Sequence, residues 1–332
     1  MVQYLGLPAH DHGARDFGAR PQGLPQGLPQ GSPQDWRAKS PGHSNQNQIQ
    51  IRPNQTVDAA ALLRRAHSRA SHTQQTEQIK AGLVGLLLIC ANASGGRRKV
   101  DLPLSDIHWK MQAAARRPHA ALRAFGARPL HCGEAPGLYA ILLDICVRAG
   151  LRRIPELYLL PFPGMNAYAL GGPDNACVSV TEDLLRGLSR EEIAGIFAHE
   201  VAHILHHDDY AMNWASAVQH AITELASCGG APRRRHSAGD DAPAHSVEAL
   251  LVAAAPVLAR LLTSALSRVR ELAADSRAID LIEHPGALVD ALCKLEFFHT
   301  GLSPAHAQMR GRSASRALHT HPETWERIAQ LS

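Results

Sequence analysis

Apolar residues keep to helical spacing through most of the second half of the chain and gather into short strand-like runs in only three places. Pro136 opens a predicted helix in which Leu138, Ile141, Leu142 and Ile145 share one face and Gly150 ends it. Glu156–Leu160 reads as a strand. Asn166–Leu170 and Cys177–Thr181 read as two more, joined by the turn-rich run Gly171-Gly172-Pro173-Asp174-Asn175. Leu188–Asp209 is then a predicted helix: Ser189 is its N-cap, Glu192 completes a capping box, and Ile193, Ile196, Phe197, Val201 and Ile204 supply the apolar face. A further helix is expected over Tyr210–Cys228, followed by a polar loop over Gly229–His245. The helical pattern resumes from Val257 to about Ile282, where His284-Pro285-Gly286 stops it, and continues over Ala287–Phe298. Pro322 opens a last helix carrying Trp325, Ile328 and Leu331. The expected fold is mainly α with a small β-sheet, an α+β domain.

Residues 1–75 are different. They are rich in Gln, Pro and Gly and include the repeat PQGLPQGLPQGSPQ, a composition that buries too little apolar surface to offset chain entropy. A disordered tail is expected there, followed over 76–125 by a short hydrophobic helix and an Arg-rich linker, and over 126–332 by the compact domain. Two apolar stretches bear on location. Ile79–Ala93 is shorter than the roughly 20 residues of a bilayer span. The stretch 247–266 is interrupted by Glu248, Pro256 and Arg260. Together they suggest a cytoplasmic protein or one at the cytoplasmic face of a membrane. The net charge of +4 is mild and its basic residues are scattered, so no nucleic-acid footprint is visible. The six cysteines lie far apart with no C-x-x-C pair, which reads as buried thiols in a reducing compartment.

The chemistry concentrates in His199-Glu200-Val201-Ala202-His203. Residues four apart on a helix project from one face, so His199 and His203 can grip one metal ion, and Glu200 is placed to take a proton from a hydrolytic water. A catalytic zinc site needs a third protein ligand. Asp209 stands six residues beyond the second His, but a sharp return there calls for glycine where the chain has His206. His206 and His207 lie a turn further along the expected helix. The better candidate is Glu271, four residues before Asp275 in SRVRELAAD, with Asp275 able to hold an imidazole N–H and fix its tautomer.

The blocks NAYALGG, ACVSVTEDLL, LSREEIAGIFAHEVAHILHHD, SRVRELAADSRAI and THPETWERIAQL resemble the HtpX-type zinc metallopeptidases, whose wider family includes the CAAX prenyl proteases. The resemblance covers roughly Arg128–Leu331, with the blocks in the family's order. It implies a zincin-like domain whose active-site helix packs under an edge-stranded antiparallel sheet, with one zinc per chain bound by His199, His203 and Glu271 and with Glu200 as general base. It makes the Asn166-Ala167 strand an active-site edge, where Tyr168 replaces the commoner Phe, and it brings in His321 and Arg327 as supporting residues. Proteins of this type generally carry two transmembrane helices before the catalytic domain, whereas this chain has one short hydrophobic run there.

The expected activity is hydrolysis of peptide bonds in extended, unfolded or damaged polypeptides, with a membrane surface as the other expected partner. An inactive relative serving as a binding module, or a zinc hydrolase of a non-protein substrate, are the alternatives. Oligomeric state is unreadable.

Overall fold

The computed structural model describes residues 59–93, 117–229, 247–301 and 322–331. The repeat-rich tail, the Gly229–His245 loop beyond its first residue, and His321 lie outside the described residues. The chain order is α1 (Ala59–Ala93), α2 (Pro118–Ala124), β1 (Arg128–Pro129), α3 (Pro136–Ala149), β2 (Glu156–Leu160), β3 (Ala167–Leu170), β4 (Cys177–Thr181), α4 (Glu182–Gly187), α5 (Arg190–Leu205), α6 (Asp208–Gly229), α7 (Val247–Ala278), a 3-10 turn (Ile279–Leu281), α8 (Gly286–Thr300) and α9 (Thr324–Leu331).

Local signals fix several boundaries. Gly150 closes α3 in the left-handed conformation at φ 71°. Ser189 and Glu192 make both halves of the capping box at the start of α5.

Four differences from the sequence reading have physical causes. Residues 59–75 form the first half of α1 rather than the end of a tail; this stretch has no Pro or Gly, and Arg69 ties it to Asp280 at 3.2 Å. The apolar run 247–266 and the helix after it are one helix, α7, which continues through Pro256. Conversely, α5 stops at Leu205 and a new helix starts at Asp208, with His207 at φ 54° between them. Lastly, the sheet is mixed rather than wholly antiparallel. Its order is β1-β2-β4-β3, with β2 parallel to β4 and the other two pairs antiparallel.

Two cores result. The larger lies between the sheet and α3, α5 and α8, around Leu138, Ile145, Val178, Val180, Phe197, Ile204 and Leu288. Helices α5 and α8 cross closely at Gly195, where a Cβ would stand 2.9 Å from Leu288 Cα. The second core joins α1, α6 and the first part of α7 through Leu83, Cys90, Met212, Ile222, Leu225 and Leu266. This helical half leaves Val84, Leu88, Leu250 and Val257 exposed. Ala249–Leu281 is the one stretch among the described residues long and apolar enough to cross a membrane.

Candidate metal centre

Helix α5 brings His199, Glu200 and His203 to the inner side of the sheet, and α7 crosses it to deliver Glu271. His199 Nε2 stands 3.0 Å from His203 Nε2 and 3.4 Å from Glu271 Oε2, and His203 Nε2 stands 3.7 Å from Glu271 Oε1. A tetrahedral zinc with ligands at about 2.0–2.1 Å would space them about 3.3–3.4 Å apart, and these separations bracket that value. All three residues offer ligand atoms within 4.8 Å of one another. The donor set and its spacing therefore fit a divalent ion.

Each imidazole is held from behind by a carboxylate and an arginine. Asp275 Oδ1 lies 2.9 Å from His199 Nδ1, and the two oxygens of the Asp275 carboxylate each take one hydrogen bond from Arg327 of α9, both 2.7 Å long. Asp208 Oδ2 lies 2.6 Å from His203 Nδ1, and Arg270 of α7 pairs with Asp208 Oδ1. A carboxylate on Nδ1 selects the tautomer that turns Nε2 toward the shared centre. Arg327 Nη1 also reaches to 3.9 Å from Glu271 Oε2, so one arginine contacts both a candidate ligand and the carboxylate behind His199.

The electrostatics follow from this burial. Burial opposes a charge on His199, but the Asp275 carboxylate outweighs it, and without metal the imidazole is pushed up to about 9. His203, buried beside a charged His199, is held below its ordinary value. Burial would raise Asp275, yet the charge and hydrogen bonds of Arg327 hold it below the usual range.

Glu200 is buried beside His199. Its charge is felt at Tyr168, whose hydroxyl is pushed up to about 12, mainly by burial and further by Glu200. Tyr168 lies on β3, which ends the sheet. Asn166, just before β3, donates its side-chain amide to the Tyr168 hydroxyl, while its Oδ1 accepts the Ala167 N–H at 3.1 Å.

The other candidate ligands are placed elsewhere, and the buried His206 Nδ1 has no hydrogen-bond partner among the described residues. Asp209 accepts from Asn213 Nδ2 at 3.0 Å and from the Gly171 N–H, tying α6 to the turn between β3 and β4. The His206 carbonyl accepts from Arg270 at 2.7 Å, and the His207 ring sits beside Gly172. Neither joins the cluster. Asp208 and Arg270 were not singled out by sequence reasoning. The signal for Asp208 was the acidic pair Asp208-Asp209, a typical first turn of a new helix.

Comparison with known proteins is consistent with this geometry. The model of peptidase family M48 matches residues 134–332, more than half of the chain. The chain belongs to peptidase family M48. Among curated relatives, a "Protease HtpX homolog" of Gemmatimonas aurantiaca is 30% identical over 279 residues, covering 76% of this chain and 95% of the relative. Another, from Thermococcus kodakarensis, is 38% identical over 228 residues, covering 62% and 76%. The solved structure of S. mikatae Ste24p superposes with a TM-score of 0.50 at 18% identity over 77% of this chain. That likeness concerns the fold, and this chain spans 63% of the solved one, under two thirds of its length. As an M48 member the protein is a protease, mainly α with a small mixed sheet.

Proposed function

We propose that the protein is a zinc metalloendopeptidase that cuts extended segments of unfolded or damaged proteins. The observation that carries this reading is the convergence of His199, His203 and Glu271 next to a buried Glu200, close to β3, the edge strand of the sheet among the described residues. Zinc held by those three residues would supply a Lewis acid that acidifies the attacking water and polarises the scissile carbonyl. Glu200 takes the water's proton and later hands it to the leaving amine. Asp275 and Asp208, each braced by an arginine, keep the two imidazoles from rotating.

Strand β3 orients the substrate. The Thr181 N–H donates to the Asn166 carbonyl, so Asn166, Tyr168 and Leu170 face the ladder with β4. Alternation then turns the backbone groups of Ala167 and Ala169 to the outer edge, where Asn166 Oδ1 takes the Ala167 N–H and the Ala167 carbonyl and both groups of Ala169 face a substrate strand. A peptide added there is held by main-chain hydrogen bonds and needs no fixed sequence, which favours unfolded chains. The apolar side chains exposed on α1 and α7 support docking of the helical half at a membrane surface.

The test measures zinc per chain in the parent and in Glu271→Ala, and cleavage of an unfolded protein by the parent and by Glu200→Gln. About one zinc in the parent, its loss in Glu271→Ala, and inactive zinc-bound Glu200→Gln are expected. Equal cleavage by Glu200→Gln would sink the assigned general base.

A further inference from the structure

Side chains on β3 alternate between two surroundings. Ala167 and Ala169 pack toward the main core, on the side of α5. Tyr168 and Leu170 pack on the opposite face of the sheet, against a third cluster that includes Leu122, Tyr158 and Leu160. That cluster is incompletely filled. A cavity of about 40 Å³ opens between α2, the loop after β2 and β3, bounded by Leu122, Phe125, Leu160, Phe162 and Leu170. Asn166 and Tyr168 also line it.

The cavity therefore belongs to the same strand that is proposed to hold substrate. A chain laid along the free edge of β3 also alternates its side chains between the two faces. Every second one points to the side of Tyr168 and Leu170, and directly paired residues of adjacent strands have their Cβ atoms about 4.5–5.5 Å apart. One such side chain can reach the cavity mouth. The walls are almost wholly aliphatic and aromatic, so a charged group entering would lose its hydration without a partner. Size narrows the choice further. The cavity is small, and a branched aliphatic side chain suits it better than an indole ring.

We propose that this cavity is the specificity subsite of the protease. It takes a Val, Leu or Ile side chain from a polypeptide paired along β3, so that cleavage sites are set by one branched aliphatic residue at a fixed distance from the scissile bond. This rests on the peptide-hydrolysis reading and adds a substrate class to it. Apolar residues of that kind are buried in folded proteins and exposed in unfolded ones, so the subsite would reinforce selection of unfolded chains.

The test uses the full zinc-bound chain and fluorogenic peptides in which each position around the cleaved bond is varied through Gly, Val, Leu, Lys and Trp. At one position, Leu and Val are expected to exceed Gly, Lys and Trp by about tenfold or more in kcat/KM. Phe162→Ala and Phe125→Ala, each checked for an intact thermal transition, are expected to move the preference at that same position toward Trp. Peptide binding to Glu200→Gln, followed by fluorescence anisotropy, separates this proposal from the parent reading. Leu-selective binding without hydrolysis by the wild-type chain would support the cavity and overturn peptide hydrolysis. Hydrolysis with a flat preference at every position, or a preference unmoved in both folded variants, would overturn the cavity and leave peptide hydrolysis standing. Absence of both binding and hydrolysis would overturn both.

Discussion

Arg327 meets Asp275 through two parallel hydrogen bonds of 2.7 Å, Nε to Oδ2 and Nη2 to Oδ1, although the two residues stand on different helices, and both approach Nδ1 of His199. Asp275 is completely buried. The short C-terminal helix α9 therefore reaches the candidate metal centre through one guanidinium. Removing it leaves a buried carboxylate without its principal partner, a change that costs about 3–5 kcal/mol in comparable pairs. Arg327→Ala is expected to lower stability by about that amount in denaturant unfolding. Its zinc affinity should fall about 10–100-fold in competition with a chromophoric chelator. Arg327→Lys should recover only part of both, because an ammonium cannot make the paired bonds.

Asp208 holds His203 as Asp275 holds His199, at 2.6 Å. Asp208→Asn is expected to weaken zinc binding about 10–100-fold. Asp209→Asn provides the contrast. Its partners are Asn213 and the Gly171 N–H, so zinc content should stay at the parental level. Equal losses in the two variants would show that the first turn of α6 acts as a whole.

Helices α5 and α8 approach closely because Gly195 has no side chain; a Cβ there would meet Leu288 Cα at 2.9 Å and its N at 3.0 Å. Backbone cannot yield as a flexible side chain can. Gly195→Ala is expected to cost about 1–3 kcal/mol of stability, despite the better helix propensity of alanine, read as a lower denaturant midpoint.

The Ala169 N–H faces the free edge of β3 in the ladder inferred from the Asn166–Thr181 pairing. Proline at an edge position removes such a donor without breaking the pairing with the inner strand. Ala169→Pro is expected to keep its zinc and its far-ultraviolet circular dichroism while kcat/KM on unfolded protein falls about tenfold or more. Unchanged turnover would exclude that N–H from substrate binding.

Burial pushes the Cys177 thiol up to about 12, with Glu156 adding to it, and pushes Cys146 up to about 11. Cys132 is exposed. At pH 8.5 iodoacetamide should label Cys132 in the folded protein and leave Cys177 and Cys146 unmodified, as peptide mapping would show. Both folded values lie above the ordinary 9.0, so their contribution to stability is fully present below pH 9. It is lost as the pH rises from 9 toward 12, because the unfolded chain ionises these thiols first. Thermal midpoints should fall across that window, and less steeply in Cys177→Ser.

The sequence by itself determined the elements whose signals are local. Gly150 ends α3 because its left-handed turn needs glycine, the capping box starts α5, and His199 and His203 share a face because they are four residues apart. The periodic apolar pattern likewise gave the strands Glu156–Leu160 and Cys177–Thr181 to the residue. Only the tertiary structure decided how distant parts combine. The parallel pairing of β2 with β4 depends on the path of the intervening chain, which strand composition does not encode. Pro256 sits inside α7 because packing against α1 and α6 outweighs a lost backbone hydrogen bond, and the helical residues 59–75 are tied to the 3-10 turn after α7 by the Arg69–Asp280 ion pair. The break at His206-His207 turns Asp208 back onto His203, a contact that a continuous helix would have carried away. Arg327 meets Asp275 across 52 residues of sequence because α9 docks on α7 and α8. Spacing along a helix is set by neighbouring bonds and can be read from the chain, whereas the support behind each histidine is set by which helices share a core.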